Sequence, residues 1–172
     1  MTDRVALIDY GAGNLRSVAN ALRAAGAGHV ERTADPDFVA RADRIVLPGV
    51  GAFGACAAAL CGVDGMVDAL EQRVRRDGVP FLGICVGMQL LADIGEEHGH
   101  HQGLGWVPGR VAALDPTDPM ARVPHMGWNA ISAPRAHSLI APGEGYFLHG
   151  YHFVAADEAD VIAASDHGGP IV

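Results

Sequence analysis

Lysine is missing from this 172-residue sequence: all twelve basic side chains are arginine. That excludes mechanisms built on a lysine Schiff base or on a P-loop lysine. Cysteine is scarce, at three, and an odd number cannot pair completely. Cys56 and Cys61 stand five apart in an alanine-rich stretch, which suits neither a zinc site nor a bridge. Both are expected to be small buried hydrophobes. Long apolar runs are lacking too, and nothing reaches the length of a membrane span. The opening Met1-Thr2-Asp3-Arg4-Val5-Ala6-Leu7-Ile8-Asp9 has neither the apolar region nor the cleavage site of a signal peptide. These features read as a cytoplasmic protein with no membrane contact. Positive charge is in deficit, with a net charge of -8, which argues against nucleic-acid binding.

What is present is ordered by strand and helix signals. Val5 to Asp9 is a short apolar run closed by Gly11-Ala12-Gly13, and Asn14 is placed to cap a helix through Ala25. Val30 to Thr33 and Arg44 to Leu47 read as the next two strands, the latter ended by Pro48-Gly49-Val50-Gly51. A helical stretch from about Cys56 to Arg76 is expected to break near Gly62 and Gly65. Pro80 to Ile84 reads as a fourth strand, and Met88 starts the next helix. From Gly95 onward glycine, proline and histidine accumulate, and strands are expected at Gly109 to Leu114, Trp128 to Ser132, Tyr146 to Val154 and Val161 to Ser165. The pattern predicts an α/β fold: a mostly parallel sheet flanked by helices, with added antiparallel strands, in one domain spanning 1–172.

The segment Phe81-Leu82-Gly83-Ile84-Cys85-Val86-Gly87-Met88-Gln89 carries the chemistry. A nucleophile between two glycines, where a strand ends and a helix begins, is the nucleophile-elbow pattern with sulfur in place of oxygen. A side chain at either glycine is expected to collide with neighbouring backbone. The turn lifts the Cys85 sulfur out of the sheet, at a helix N-terminus whose aligned dipoles favour a thiolate. The Val86 N–H is then directed at any oxyanion formed on attack.

The motif Gly83-Ile84-Cys85-Val86-Gly87-Met88-Gln89 resembles the active-site signature of class I (triad) glutamine amidotransferases. Pro48-Gly49-Val50-Gly51-Ala52-Phe53-Gly54 resembles their oxyanion strand. Asp9 to Ser17, Pro124 to Asn129 and Tyr146 to Tyr151 narrow the resemblance to the glutaminase subunits of imidazole glycerol phosphate synthase, in histidine biosynthesis. The resemblance implies that Cys85 attacks the side-chain amide of glutamine and holds a γ-glutamyl thioester. It implies oxyanion donors at Val50 or Gly51 and at Val86, and substrate contacts from Gln89, Glu97 and the backbone of His149, Gly150 and Tyr151. Gly150 stands where the family usually has serine or threonine. No cofactor and no metal ion is implied, and the implied partner is a (βα)₈-barrel cyclase subunit. The family's general base lies in a His-Pro-Glu motif, which does not occur in this sequence. The expectation is a chain lacking the family's C-terminal segment, roughly two strands and a helix at typical element lengths.

Other motifs carry less. Arg16 occupies the third glycine position of a dinucleotide fingerprint after Gly11 and Gly13, so a tight turn is expected there. Glu96 to His101 reads as an exposed polar loop rather than a metal site. His149 and His152 are expected on opposite faces of one strand, and Trp106 and Trp128 as core or interface aromatics. Besides the leading reading, two alternatives stay open: a class I glutaminase serving another synthase, and a catalytically impaired copy acting only as a binding module.

Overall fold

The structure is a computed structural model that describes residues 3–133 and 137–172. The chain divides into two compact units, Met1–Leu91 and Ala92–Val172.

The first unit is built on four parallel strands, β1 (Arg4–Ile8), β2 (His29–Thr33), β3 (Arg44–Gly49) and β4 (Phe81–Cys85), in the order β2-β1-β3-β4. Helix α1 (Leu15–Ala24) starts where expected, with the Asn14 side chain accepting from the Ser17 N–H. It packs Leu15 and Ala19 against Val5, Leu7, Val30 and Val46. The alternate residues Ala6, Ile8, Ile45 and Leu47 are at most 1% exposed, so the opposite face is covered as well. On the α1 side the cover stops short of β4. Leu82 is half exposed, and an apolar groove of about 580 Å³ runs past Val5, Leu22, Val46 and Leu82.

The helical stretch after β3 begins three residues earlier than the sequence suggested. It is α3 (Phe53–Cys61), then α4 (Met66–Leu70), with a π-helical segment Glu71–Arg76. Gly65 adopts φ 72° between them, and the axis bends by 92°. The sequence reading missed α2 (Pro36–Val39). Its signal is local: the Asp35 carboxylate accepts from Asp37 N–H, and Pro36 fills the first helical position. Among the described residues no single helix is long and apolar enough to cross a membrane.

The strands of the second unit pair antiparallel, except that Ile94–Gly95 runs parallel to Gly109–Ala113. Strands β5 (Ile94–Gly95), β6 (His101–Gln102), β7 (Gly109–Ala113) and β10 (Tyr151–Ala155) form a sheet in the order β10-β7-β5-β6. Strands β8 (His125–Ile131) and β9 (Gly143–His149) pair as a hairpin, and β11 (Ser165–Asp166) pairs with β12 (Pro170–Ile171). Two expectations fail here. Tyr146 to Val154 is not one strand: it breaks at Gly150, so His149 ends β9 and His152 belongs to β10. The argument that the two histidines lie on opposite faces of a single strand therefore lapses. The segment expected as a strand from Val161 contains only a bridge at Ala164 and the start of β11, after a 3₁₀ turn at Glu158–Asp160.

Candidate active site

Cys85 closes β4 with φ 56° and ψ −121°, one of two non-glycine residues with positive φ among those described. L-residues avoid this region, and a single residue held there stores on the order of 1–3 kcal/mol. The flanking glycines show what holds it. A Cβ on Gly83 would sit 2.6 Å from Met88 Cα, and one on Gly87 would overlap the Leu47 carbonyl. The first turn of α5 (Val86–Gln89) is therefore pressed against β3 and β4, as the sequence reading required. That helix has four residues, so only one turn of aligned dipoles stands behind the sulfur. Cys85 is exposed, while Val86 beside it is buried.

Register brings the loop after β3 to the same place. Gly49 pairs directly with Cys85, which sets Val50 and Gly51 beyond the end of β3, next to the elbow. A Cβ on Gly49 would lie 2.6 Å from Gly87 N and 2.9 Å from the Tyr10 hydroxyl, so glycine is needed for this approach. Gly51 adopts φ 95° in open space, and Val50 is half exposed. Gln89, part-buried, ends α5. Cys85, Val50, Gly51, Val86 and Gln89 thus gather at the carboxyl end of the parallel strands. The only histidine of this unit, His29, starts β2 opposite Arg4, at the other end of the sheet.

Tyr10 and Cys56 also belong to this corner, and the sequence reading assigned neither a role. The Tyr10 hydroxyl, buried, donates to the Pro48 carbonyl at 2.7 Å. Burial, followed by the neighbouring Cys56 and Cys85 sulfurs, pushes its ionisation far above the ordinary phenol range. The Cys56 thiol donates to the Val50 carbonyl at 3.3 Å. Cys56 is buried as expected, but Cys61 is exposed, because it ends α3 on the face turned from Cys56 and Leu60.

Glu97, His149, Gly150 and Tyr151 lie in the second unit. Glu97 is part-buried and follows Glu96, whose carboxylate pairs with Arg110 at 2.9 Å. Around His149 the donors form one line. Asn129 Nδ2 donates to His125 Nε2 (3.2 Å) and to the Asp166 carbonyl (2.7 Å). His125 Nδ1 then donates to His149 Nε2 (3.1 Å), and His149 Nδ1 donates to the Tyr151 carbonyl (2.9 Å). His125 is 4% exposed and stacks on Phe147 and His167. Burial, with His167 and His149 beside it, holds His125 below the usual imidazole range. A Cβ on Gly150 would touch only Val123 Cγ1, at 3.8 Å, so space does not explain the missing hydroxyl there. The other face of the hairpin is apolar and open: Met126 faces Leu148, Trp128 faces Tyr146, and all four are more than half exposed. Among the described residues no group of three or more His, Cys, Asp or Glu side chains is arranged to hold a metal ion.

A glutamine amidotransferase class-I family model matches residues 6–172 of the sequence. The chain belongs to that family. It is 60% identical over 168 residues to the imidazole glycerol phosphate synthase subunit HisH of Zymomonas mobilis, covering 96% of this chain and 79% of the relative. The HisH subunits of Rhodospirillum rubrum (52% identical, 98% and 83% covered) and Caulobacter vibrioides (50%, 96% and 82%) are also similar. Two solved structures share the amidotransferase fold at low identity. A glutamine amidotransferase crystal structure superposes with a TM-score of 0.72 at 17% identity, covering 96% of this chain and 82% of that one. PurLQS from Thermotoga maritima gives 0.63 at 16%, covering 98% and 78%.

Proposed function

We infer that this class I amidotransferase is the glutamine-hydrolysing subunit of an imidazole glycerol phosphate synthase, in histidine biosynthesis. The observation that carries the reading is the strained Cys85 elbow lying in register with the Pro48–Gly51 loop, in a chain 60% identical to a HisH subunit. On this reading the two units act together as one amidotransferase domain.

The Cys85 sulfur attacks the amide carbon of glutamine, and the carbonyl π electrons move onto oxygen. Val86 N–H, with Val50 or Gly51 N–H, stabilises that oxyanion. Collapse expels the nitrogen as ammonia once it has gained a proton, leaving a γ-glutamyl thioester, and water then releases glutamate. Gln89, Glu97 and the His149–Tyr151 backbone hold the substrate. His29, the one histidine of the first unit, is at the opposite end of the sheet from Cys85 and cannot take and return the proton.

The product ammonia serves a (βα)₈-barrel cyclase subunit. Support comes from the relatives, which are named as subunits, and from the open Met126–Trp128–Tyr146–Leu148 face, rich in the aromatic and methionine side chains that interfaces favour. The cytoplasm, where unbridged thiols stay reduced, is the fitting compartment.

A chloroketone analogue of glutamine tests the reading. It should form a single adduct on Cys85, and added glutamine should protect that site. Exposed Cys61 should react with simple alkylating reagents but gain no protection. Labelling of Cys61 in preference to Cys85, or no protection by glutamine, would overturn the assignment.

A further inference from the structure

The hairpin face opposite Met126 and Trp128 carries two histidines whose rings the chemistry above does not use. His125 and His149 stand directly across from each other in the β8–β9 register. Every proton along their hydrogen-bonded line is decided from one end. Asn129 Oδ1 accepts from the Ala130 N–H at 2.8 Å, and its Nδ2 donates to the Asp166 carbonyl at 2.7 Å. One backbone donor and one backbone acceptor leave that amide a single orientation. Its second Nδ2 proton meets His125 Nε2 at 3.2 Å, and this nitrogen has to accept. A neutral imidazole that accepts at one nitrogen carries its proton on the other. His125 Nδ1 therefore donates to His149 Nε2 at 3.1 Å, and by the same rule His149 is protonated on Nδ1. That proton meets the Tyr151 carbonyl at 2.9 Å. Burial keeps His125 neutral, as this order of donors requires.

The line ends where packing does least to hold the backbone. Gly150 separates β9 from β10, and a Cβ there would meet only Val123 Cγ1, at 3.8 Å. Glycine turns more freely than any other residue. The Gly150 carbonyl is held by the Leu114 N–H, just past β7, at 2.9 Å. The next carbonyl along, that of Tyr151, points to the other side of an edge strand, away from β7. The β7 ladder does not reach it, and the His149 ring does. The ring spans Gly150 and closes the His149–Tyr151 segment into a loop held from both sides.

We propose that Asn129, His125 and the His149 ring are positioning residues for glutamine, whose one-way line of hydrogen bonds sets the His149–Tyr151 backbone in its binding shape before substrate arrives. This rests on the reading of that backbone as part of the glutamine site. Asn129 and His125 act through the His149 ring. The gain is in binding, because a segment ordered in advance loses less freedom when substrate docks. Phe147 and His167 both stack on the His125 ring, so packing is the competing role for this histidine.

Two variants separate the hydrogen-bonded line from packing. His125→Phe keeps a flat ring for Phe147 and His167 to stack on and removes the donor to His149. His125→Asn gives up the ring and keeps the donor, because its Nδ2 takes the place of the histidine Nδ1. Iodoacetamide labelling of Cys85 is followed by mass spectrometry with and without glutamine. In His125→Phe the glutamine concentration that halves labelling should rise about tenfold, the scale set by losing one partner of a buried hydrogen bond. Labelling without glutamine should stay within about twofold, because the elbow keeps its own contacts. His125→Asn should bind glutamine within about threefold of the unmodified chain. Asn129→Ala, at a half-buried position, should raise the half-protecting concentration as well, and it carries the test if His125→Phe does not fold. Nitrogen-15 NMR of the unmodified chain should find both rings neutral with the proton on Nδ1. A neutral ring protonated on Nε2 at either position would overturn the proposal. So would unchanged protection in whichever of His125→Phe and Asn129→Ala is folded, or a loss in folded His125→Asn as large as in His125→Phe. If glutamine gives no protection in the unmodified chain while both tautomers are as stated, the reading of His149–Tyr151 as substrate backbone fails, and the positioning role fails with it.

Discussion

Replacing Gly87 by alanine tests whether the elbow is held by backbone contact. The added Cβ would overlap the Leu47 carbonyl oxygen and lie 2.7 Å from Leu47 C and 3.0 Å from Pro48 C. Ordinary contact begins near 3.4 Å. Relief therefore needs a separation of roughly 1 Å between α5 and β3, close to the scale at which a misplaced group loses about 10² in rate. The strand cannot yield, since β3 is bonded to β1 on one side and β4 on the other, and Leu47 is fully buried. Overpacking of this kind costs about 3 kcal/mol, the upper end of the usual range. With a urea slope of roughly 2 kcal/mol/M, the unfolding midpoint should fall by about 1.5 M. Circular dichroism in urea measures the first effect, and adduct formation by the chloroketone analogue measures the second. Gly11→Ala is the control. Gly11 has φ 89° but no atom within 4 Å of a Cβ, so it isolates the backbone strain of about 1 kcal/mol. If Gly87→Ala is no less stable than Gly11→Ala, or labels Cys85 at the unmodified rate, the close approach of α5 to β3 is not what shapes the elbow.

Phe53→Ala removes a side chain with no exposure at the start of α3 and should cost about 3–5 kcal/mol in a thermal or urea melt. A loss under about 1 kcal/mol would mean that the site collapses freely. His125 titrates below its ordinary range when folded, so its contribution to stability is full above about pH 6.5 and is lost as pH falls through the folded value. The urea midpoint should therefore drop between about pH 7 and pH 5, and less steeply in His125→Gln; equal slopes would show that other groups govern the acid limb. Gly150→Ser should be tolerated within about 0.5 kcal/mol, because only Val123 Cγ1 stands near. If the serine hydroxyl reaches substrate as in the family pattern, glutamine should protect Cys85 at lower concentration; a destabilised variant would mean the backbone there requires glycine.

The parallel half was legible because its signals are local. Apolar runs ended by Gly-rich turns gave all four strands of the first sheet, and Asn14 gave the start of α1. The elbow was legible for the same reason: the two glycines and the cysteine between them state a backbone shape. The second unit was harder. Its strands are two to seven residues long and partly exposed, and pairing rather than propensity decides where they stop. Gly150 illustrates this: aromatic and apolar residues flank it on both sides, yet His149 and Tyr151 end and begin different strands. The roles of Tyr10 and Cys56 were not legible at all. Each makes its contact across 38 or 6 positions to a backbone carbonyl, and carbonyls carry no sequence signature.

The backbone of Cys85 has a consequence for how such a chain drifts. At φ 56° and ψ −121° it occupies the region of the first central residue of a type II′ turn, where glycine is at ease. Cysteine and glycine codons differ by one base. Where glutamine hydrolysis is no longer selected, a single substitution to glycine relieves roughly 1–3 kcal/mol of strain, less up to about 1 kcal/mol for glycine's greater freedom when unfolded. Loss of the nucleophile is then a stabilising change, unlike most substitutions. A lineage that merely retains the folded scaffold has a downhill path away from cysteine, and one that still carries it is being held there against its own thermodynamics.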